Sequence, residues 1–110
     1  MAIFNIFDVV AAPFPYIERP VTKRRPCIVI AEPEETELAW VIMITSAKNK
    51  GWVGDVEIQN LSITGLKVPS LIRTAKIATV ESNMLKCIGK LDLGTITALE
   101  GQLKRHWKIK

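Results

Sequence analysis

The sequence predicts a mainly β domain with a C-terminal helix, built as a small barrel or a curled sheet on which the helix docks. Three observations predict it. Short β-branched apolar runs recur between turn signals. The one switch of hydrophobic period, from two to about 3.6, falls after Gly89. The length of 110 residues, 48% hydrophobic and 24% charged, suits one globular domain.

Phe7 to Phe14 reads as the first strand, ended by Pro13 and Pro15. Tyr16 to Lys23 is a polar loop. Pro26 to Ala31 is almost wholly apolar and suits a strand buried on both faces. Glu32 to Glu37 is an acidic turn, Leu38 to Thr45 a second buried strand, and Ser46 to Gly51 a Lys- and Gly-containing loop. From Gly54 to Ile58 apolar and polar residues alternate, so Trp52 to Ile58 reads as a half-exposed strand. After the Gly65–Pro69 turn, Ser70 to Val80 is a long strand in which alternation puts Arg73 and Lys76 on opposite faces. Asp92 is placed to cap a helix running to about Lys108. Its apolar stripe is Leu93, Ile96, Leu99, Leu103 and Trp107, and Lys104, Arg105 and Lys108 complement the macrodipole at its end.

The composition narrows the function. Fifteen basic against eleven acidic residues give a net charge of +4, which suits an anionic partner without choosing among nucleic acid, acidic lipid and acidic protein. No apolar run approaches the roughly 18 residues of a membrane span, and the N-terminus lacks the basic region of a secretory signal. The cytoplasm is the expected compartment. Two cysteines are too few for a disulfide framework, so Cys27 and Cys87 are expected as buried, reduced thiols. Phosphate-loop, dinucleotide, zinc-protease and nucleophile-elbow motifs are all missing, and no zinc or other cofactor is expected. The single His106, near the end of the helix, reads as a solvated helix-end residue rather than a catalytic one.

Three groups of residues could carry chemistry. Lys23, Arg24 and Arg25 enter a buried strand through Pro26; they are either a solvated charge run or a phosphate site in which Pro26 aims the Arg25 fork. Thr45 and Ser46 stand where a strand breaks into a loop. Their hydroxyls either close the turn or bind a phosphate. Arg73 and Lys76 are cations in an otherwise apolar strand, and opposite faces would let at most one line a given site. Glu18 is the carboxylate nearest the basic cluster in sequence, available as a general base or as a surface partner of Arg19 or Lys23.

The series Asp8-Val9-Val10, Pro13-Phe14-Pro15 and Lys23 to Ile30 resembles the opening of the PemK/MazF toxin family. The likeness continues through Ile44-Thr45-Ser46, Asp55 to Ile58 and Thr64-Gly65-Leu66. It is strongest at Pro69 to Val80, followed by Ile88 to Leu91 and the final helix. It spans nearly the whole chain in order. This resemblance implies an SH3-like barrel, a homodimer, and the toxin half of a bacterial toxin–antitoxin pair. It also implies cleavage of single-stranded RNA, often mRNA, without a metal. The RNA's own 2′-hydroxyl attacks its phosphate and leaves a 2′,3′-cyclic phosphate and a 5′-hydroxyl. A labile antitoxin would block the site, and operator DNA would be reached only through the toxin–antitoxin complex.

By the same resemblance Arg25 matches the Arg of the family's Arg-Pro motif, which contacts the scissile phosphate, and Thr45 the strand-end Thr that positions it. Arg73 matches a basic residue of some members. One pattern pairs it with an Asp two residues on, where this chain has Ala75. Glu18 is the possible counterpart of the acidic or imidazole residue that precedes the Arg-Pro motif. Lys23, Arg24, Ser46 and Lys76 are candidate RNA contacts, and Trp52 either stacks a base or simply packs. Two alternatives stand beside this reading. One is a non-catalytic RNA- or partner-binding module. The other is a gyrase-directed toxin of the related CcdB type, for which Trp107 near the chain end is the suggestive residue.

Overall fold

The computed structural model describes residues 4–14 and 23–106. Its strands are β1 (Val9–Phe14), β2 (Lys23–Ala31), β3 (Leu38–Ser46), β4 (Asp55–Glu57), β5 (Ser70–Glu81) and β6 (Lys86–Gly89), followed by helix α1 (Leu93–His106). One six-stranded sheet in the order β4-β5-β3-β2-β1-β6 joins them, with every pair antiparallel. The mainly β fold with a C-terminal helix is therefore present. Among the described residues the sheet stays open, with β4 and β6 at its edges.

Strand alternation splits the core between the two faces of the sheet. Val9, Ile28, Ile42, Ile44, Val56 and Ile72 cluster with Leu91 and Leu99 on the face that α1 covers. Val10, Ala12, Cys27, Val29, Ala39, Val41 and Val80 form the second cluster, against which Met43 and Leu85 pack. The runs read as buried on both faces thus do feed two cores.

Several boundaries differ from the sequence reading, each for a local reason. The first strand starts at Val9 because Phe7 has φ 71° and the Asp8 N–H closes a turn on the Asn5 carbonyl. Lys23, Arg24 and Arg25 lie inside β2, paired with Phe14, Pro13 and Ala12. Pro13 and Pro26 are tolerated because each sits where one ladder is already missing. The β6 pairing of β1 stops at Ala11, and the β3 pairing of β2 starts at Cys27. Strand β4 is only Asp55–Glu57, since Gly54 at φ 90° and an Asp55 N–H bond to the Trp52 carbonyl make Trp52–Asp55 a turn. Strand β6 has no counterpart in the sequence reading; its KCIG sequence has no buried alternation and it owes its pairing to β1.

The helix begins as expected. Asp92 Oδ2 accepts the Thr95 N–H at 3.0 Å, while its Oδ1 accepts from Thr95 Oγ1 and from the Asn60 N–H. Thr95 Oγ1 also accepts the Gln59 N–H, so polar groups tie the first turn to the segment after β4. Leu93 is consequently 81% exposed, not part of the buried stripe, and Thr95 takes the inward position. Ile96, Leu99 and Leu103 do pack on the core. Trp107 and Lys108 lie outside the described residues.

The thiol expectation holds for one cysteine. Cys27 is buried, and burial pushes its thiol up to about 12 despite the opposing charge of Arg25. Cys87 is exposed because β6 is an edge strand. Burial of its sulfur, and then the Asp8 carboxylate beside it, still raise its pKa. Both cysteines pair with Val10, one from each side. Two strand spacings, roughly 9–10 Å, separate them, beyond the roughly 7 Å a disulfide spans. No helix among the described residues is long and apolar enough to cross a membrane.

Candidate active site

The antiparallel register brings the scattered candidates to one end of the sheet. Cys27 of β2 pairs with Met43 of β3, and Arg25 and Thr45 each stand two residues further on, on the same face. Thr45 pairs with Leu71, so Arg73, two residues beyond Leu71, shares that face. Arg73 in turn pairs with Asp55 of β4. Arg25, Thr45, Arg73 and Asp55 therefore lie along one side of four neighbouring strands, on the face away from α1.

Around Arg73 the geometry is closely determined. Arg73 Nε donates to Asp55 Oδ1 at 3.2 Å and Nη2 to Oδ2 at 3.1 Å, a bidentate pair with side chains only 8% and 10% exposed. Nη2 also donates to the Asn49 carbonyl. The Trp52 ring lies under the guanidinium, its centroid 4.4 Å from Cζ, and the Trp52 N–H donates to Asp55 Oδ2. Asn49 Nδ2 then donates to Thr45 Oγ1 at 2.9 Å. One connected network thus runs from Asp55 through Arg73 and Asn49 to the Thr45 hydroxyl.

The sequence reading found Arg73, Thr45 and Trp52 but not what joins them. The acidic partner absent at Ala75 is supplied across the ladder by Asp55, 18 residues away in sequence. Ala75 itself is exposed. In the sequence Asn49 is simply one residue of the Ser46–Gly51 loop. The opposite-face assignment of Arg73 and Lys76 also fails. Between the pairs Ile44↔Ile72 and Ile42↔Ile77, β3 advances two residues and β5 five, so alternation is broken between the two cations. Lys76 is half-buried beyond that irregularity.

The other candidates divide. Ser46 Oγ accepts the Lys48 N–H and caps the 3-10 turn Ala47–Asn49, so it does close the turn. Arg24 Nη1 donates to the Met84 carbonyl, engaging the β5–β6 connection rather than the Thr45 network. Lys23 is paired in β2, and its backbone partner is Phe14. Glu18 lies outside the described residues. His106 is half-buried rather than fully solvated: its Nε2 is secluded and without a hydrogen-bond partner among the described residues. The ring abuts Gly54, where a methyl group would fall 1.8 Å from Nε2. Trp52 is half exposed beside the guanidinium it covers.

Charge is segregated along the strands. Lys23, Arg24 and Arg25 open β2, and Lys48 and Lys50 follow β3, all at the end that holds Thr45. Glu32, Glu34, Glu35 and Glu37 occupy the β2–β3 connection at the other end, roughly 20 Å away along β2. An anion approaching the Thr45 end therefore meets an excess of basic residues, with exposed Glu57 and the paired Asp55 of β4 as carboxylates at that end.

Residues 5–107 match the family described as PemK-like, MazF-like toxin of type II toxin–antitoxin systems. No curated protein sequence matches the chain. Among solved structures, the Mycobacterium tuberculosis toxin MazF-mt6 is similar with a TM-score of 0.70 at 20% identity, covering 89% of this chain and 93% of that one. A MazE–MazF structure from Deinococcus radiodurans aligns with a TM-score of 0.71 at 15% identity and 96% coverage of both chains. An endoribonuclease in complex with its cognate antitoxin, from a Mycobacterial species, gives 0.70 at 13% identity, covering 90% of this chain and 89% of that one.

Proposed function

The chain belongs to the PemK-like, MazF-like toxin family of type II toxin–antitoxin systems, and on that premise we propose that it is an endoribonuclease that cleaves single-stranded RNA without a metal. The observation that carries the reading is the convergence of Arg25, Thr45 and the Arg73–Asp55–Trp52 group on one face at the basic end of the sheet. RNA brings its own nucleophile, so the protein has to orient it, move protons and stabilise charge on the pentacoordinate phosphorus.

In this reading the 2′-oxygen bonds to the adjacent phosphorus while the bond to the 5′-oxygen breaks. A proton leaves the 2′-hydroxyl and another reaches the departing 5′-oxygen. The products are a 2′,3′-cyclic phosphate and a 5′-hydroxyl. Arg25 stabilises the phosphorane charge with a fork that stays protonated at any working pH. Thr45 donates its hydroxyl to a phosphate oxygen. Arg73, buried and paired, holds the surrounding loop, and half-exposed Trp52 offers its open side to a base. Glu18 is the proposed general base; Lys23, Arg24, Ser46 and Lys76 are secondary candidates for contacts along the RNA.

Family membership also supplies the proposed partners. They are a cognate antitoxin, operator DNA reached only through that complex, and a second copy of the chain, all in the cytoplasm. The test is incubation of the purified protein with unstructured RNA in EDTA. Wild type is expected to yield 2′,3′-cyclic phosphate ends, and Arg25→Ala to lose about 100-fold or more in rate. Absence of cleavage by the wild type, or undiminished cleavage by a folded Arg25→Ala, would sink the assignment.

A further inference from the structure

We propose that Asn49 is a positioning residue that fixes the direction in which the Thr45 hydroxyl donates its proton. The inference rests on the reading of Thr45 as a phosphate-binding group. A threonine hydroxyl carries one proton and two lone pairs and rotates to suit its neighbours. Thr45 Oγ1 accepts from Asn49 Nδ2 at 2.9 Å, so one lone pair is occupied and the proton is turned away from Asn49. Among the described residues no acceptor takes that proton. It is left for an anion on the face that Arg25 shares.

Asn49 is exposed, and an exposed amide would ordinarily sample many rotamers. Here its backbone is held at both sides. Ser46 Oγ caps the turn through the Lys48 N–H, and the Lys50 N–H returns to the Ala47 carbonyl. The Ala47 N–H donates to the Pro69 carbonyl, and Arg73 Nη2 donates to the Asn49 carbonyl itself. Arg73 is in turn fixed by Asp55 and Trp52. A buried ion pair thereby anchors an exposed loop so that its side-chain amide meets a strand-end hydroxyl four residues back. The arrangement gives Arg73 and Asp55 a role in the site that needs neither to touch RNA.

The test is a double-mutant cycle between Asn49→Ala and Thr45→Val, read on two scales. One is kcat/KM for RNA cleavage. The other is the affinity for a short random-sequence 2′-O-methyl oligonucleotide, which keeps the phosphates but has no free 2′-hydroxyl. Asn49→Ala is expected to lower cleavage about tenfold in the wild-type background. In the Thr45→Val background it should add less than about twofold, because its effect passes through that hydroxyl. Asn49→Asp should also lose activity, since a carboxylate would accept the Thr45 proton and turn it away from the phosphate. Additive losses, or full cleavage by Asn49→Asp, overturn the proposal.

The two scales separate this inference from the nuclease assignment. If wild type binds the methylated strand and cleaves nothing, the nuclease reading fails alone, and coupling in the binding cycle still decides Asn49. If it neither binds nor cleaves, both fail. Urea midpoints of each variant distinguish lost orientation from a loosened loop, because loosening would lower the Asn49→Ala midpoint whichever residue stands at 45.

Discussion

Removing the carboxylate of Asp55 should destabilise the fold far more than its surface-loop neighbourhood suggests. Asp55→Ala would leave the Arg73 guanidinium, 8% exposed, with the Asn49 carbonyl and the Trp52 face as its partners among the described residues. Breaking a buried pair by deleting one partner costs about 3–5 kcal/mol. The surviving cation–π contact is worth about 0.5–2 kcal/mol, which places the loss near the lower end, about 3 kcal/mol. Against a stability of about 5–15 kcal/mol for a domain, that is a large fraction. With a urea m-value of about 2 kcal/mol/M, the midpoint should fall by about 1.5 M at unchanged slope. The control is Asp55→Leu with Arg73→Met, which removes both charges and should return to within about 1 kcal/mol of wild type. A loss below about 1 kcal/mol for Asp55→Ala would show that the pair behaves as a solvated one. A double variant no better than the single would show that packing, not uncompensated charge, is what was lost.

Two further outcomes follow from the ends of the helix. Gly54→Ala meets a double obstacle, a φ of 90° and a new methyl 1.8 Å from His106 Nε2, and should cost about 2–3 kcal/mol in thermal unfolding. Adding His106→Ala should recover only the part due to the ring, leaving the backbone strain and the 2.7 Å approach to Thr74 Oγ1, together about 1–2 kcal/mol. Asp92→Ala should cost about 1 kcal/mol at neutral pH through the lost cap. The hydrogen bond from the Thr95 hydroxyl, with those of the Thr95 and Asn60 N–H groups, holds the Asp92 carboxyl below its ordinary 3.8. Its contribution is therefore full above that ordinary value and fades as pH falls through the depressed one. The unfolding midpoints of wild type and Asp92→Ala should converge in acid, and a gap that stays constant with pH would refute the assignment.

How much of this was legible varies by element. Strands β2 and β3 announced themselves because their cores are apolar on both faces, and a continuous apolar run survives any register; β5 did so as a long run rich in Ile, Leu, Val and Thr after a turn. Helix α1 was legible because Asp92 caps it locally and Leu99 and Leu103 keep its period. Strand β6 was not, since four residues, three of them exposed, carry no pattern until β1 pairs with them. The same holds for β4, where a positive-φ glycine cut an alternating run to three residues. Of the site, Arg25 is legible in a basic run entering an apolar strand, Thr45 as a hydroxyl at a strand end and Arg73 as a cation inside an apolar strand. Asp55 and Asn49 are not, because nothing local marks a carboxylate that will face an arginine across a ladder, or a loop amide that will fold back on a hydroxyl.

By itself the sequence determined the class of fold, the helix and its cap, the basic character of the chain and the strand residues able to meet an anion. Those properties live in hydrophobic period, turn chemistry and charge, all of which are local. Tertiary structure alone decided which candidates share a face. Register between β3, β5 and β4 sets Arg73 opposite Asp55, and the irregularity in β5 breaks the alternation that should have separated Arg73 from Lys76. A one-residue slip in either ladder would send those side chains to the other face of the sheet. Which face they occupy is fixed by burying two apolar clusters at once, a condition imposed on the whole sheet and on no single strand.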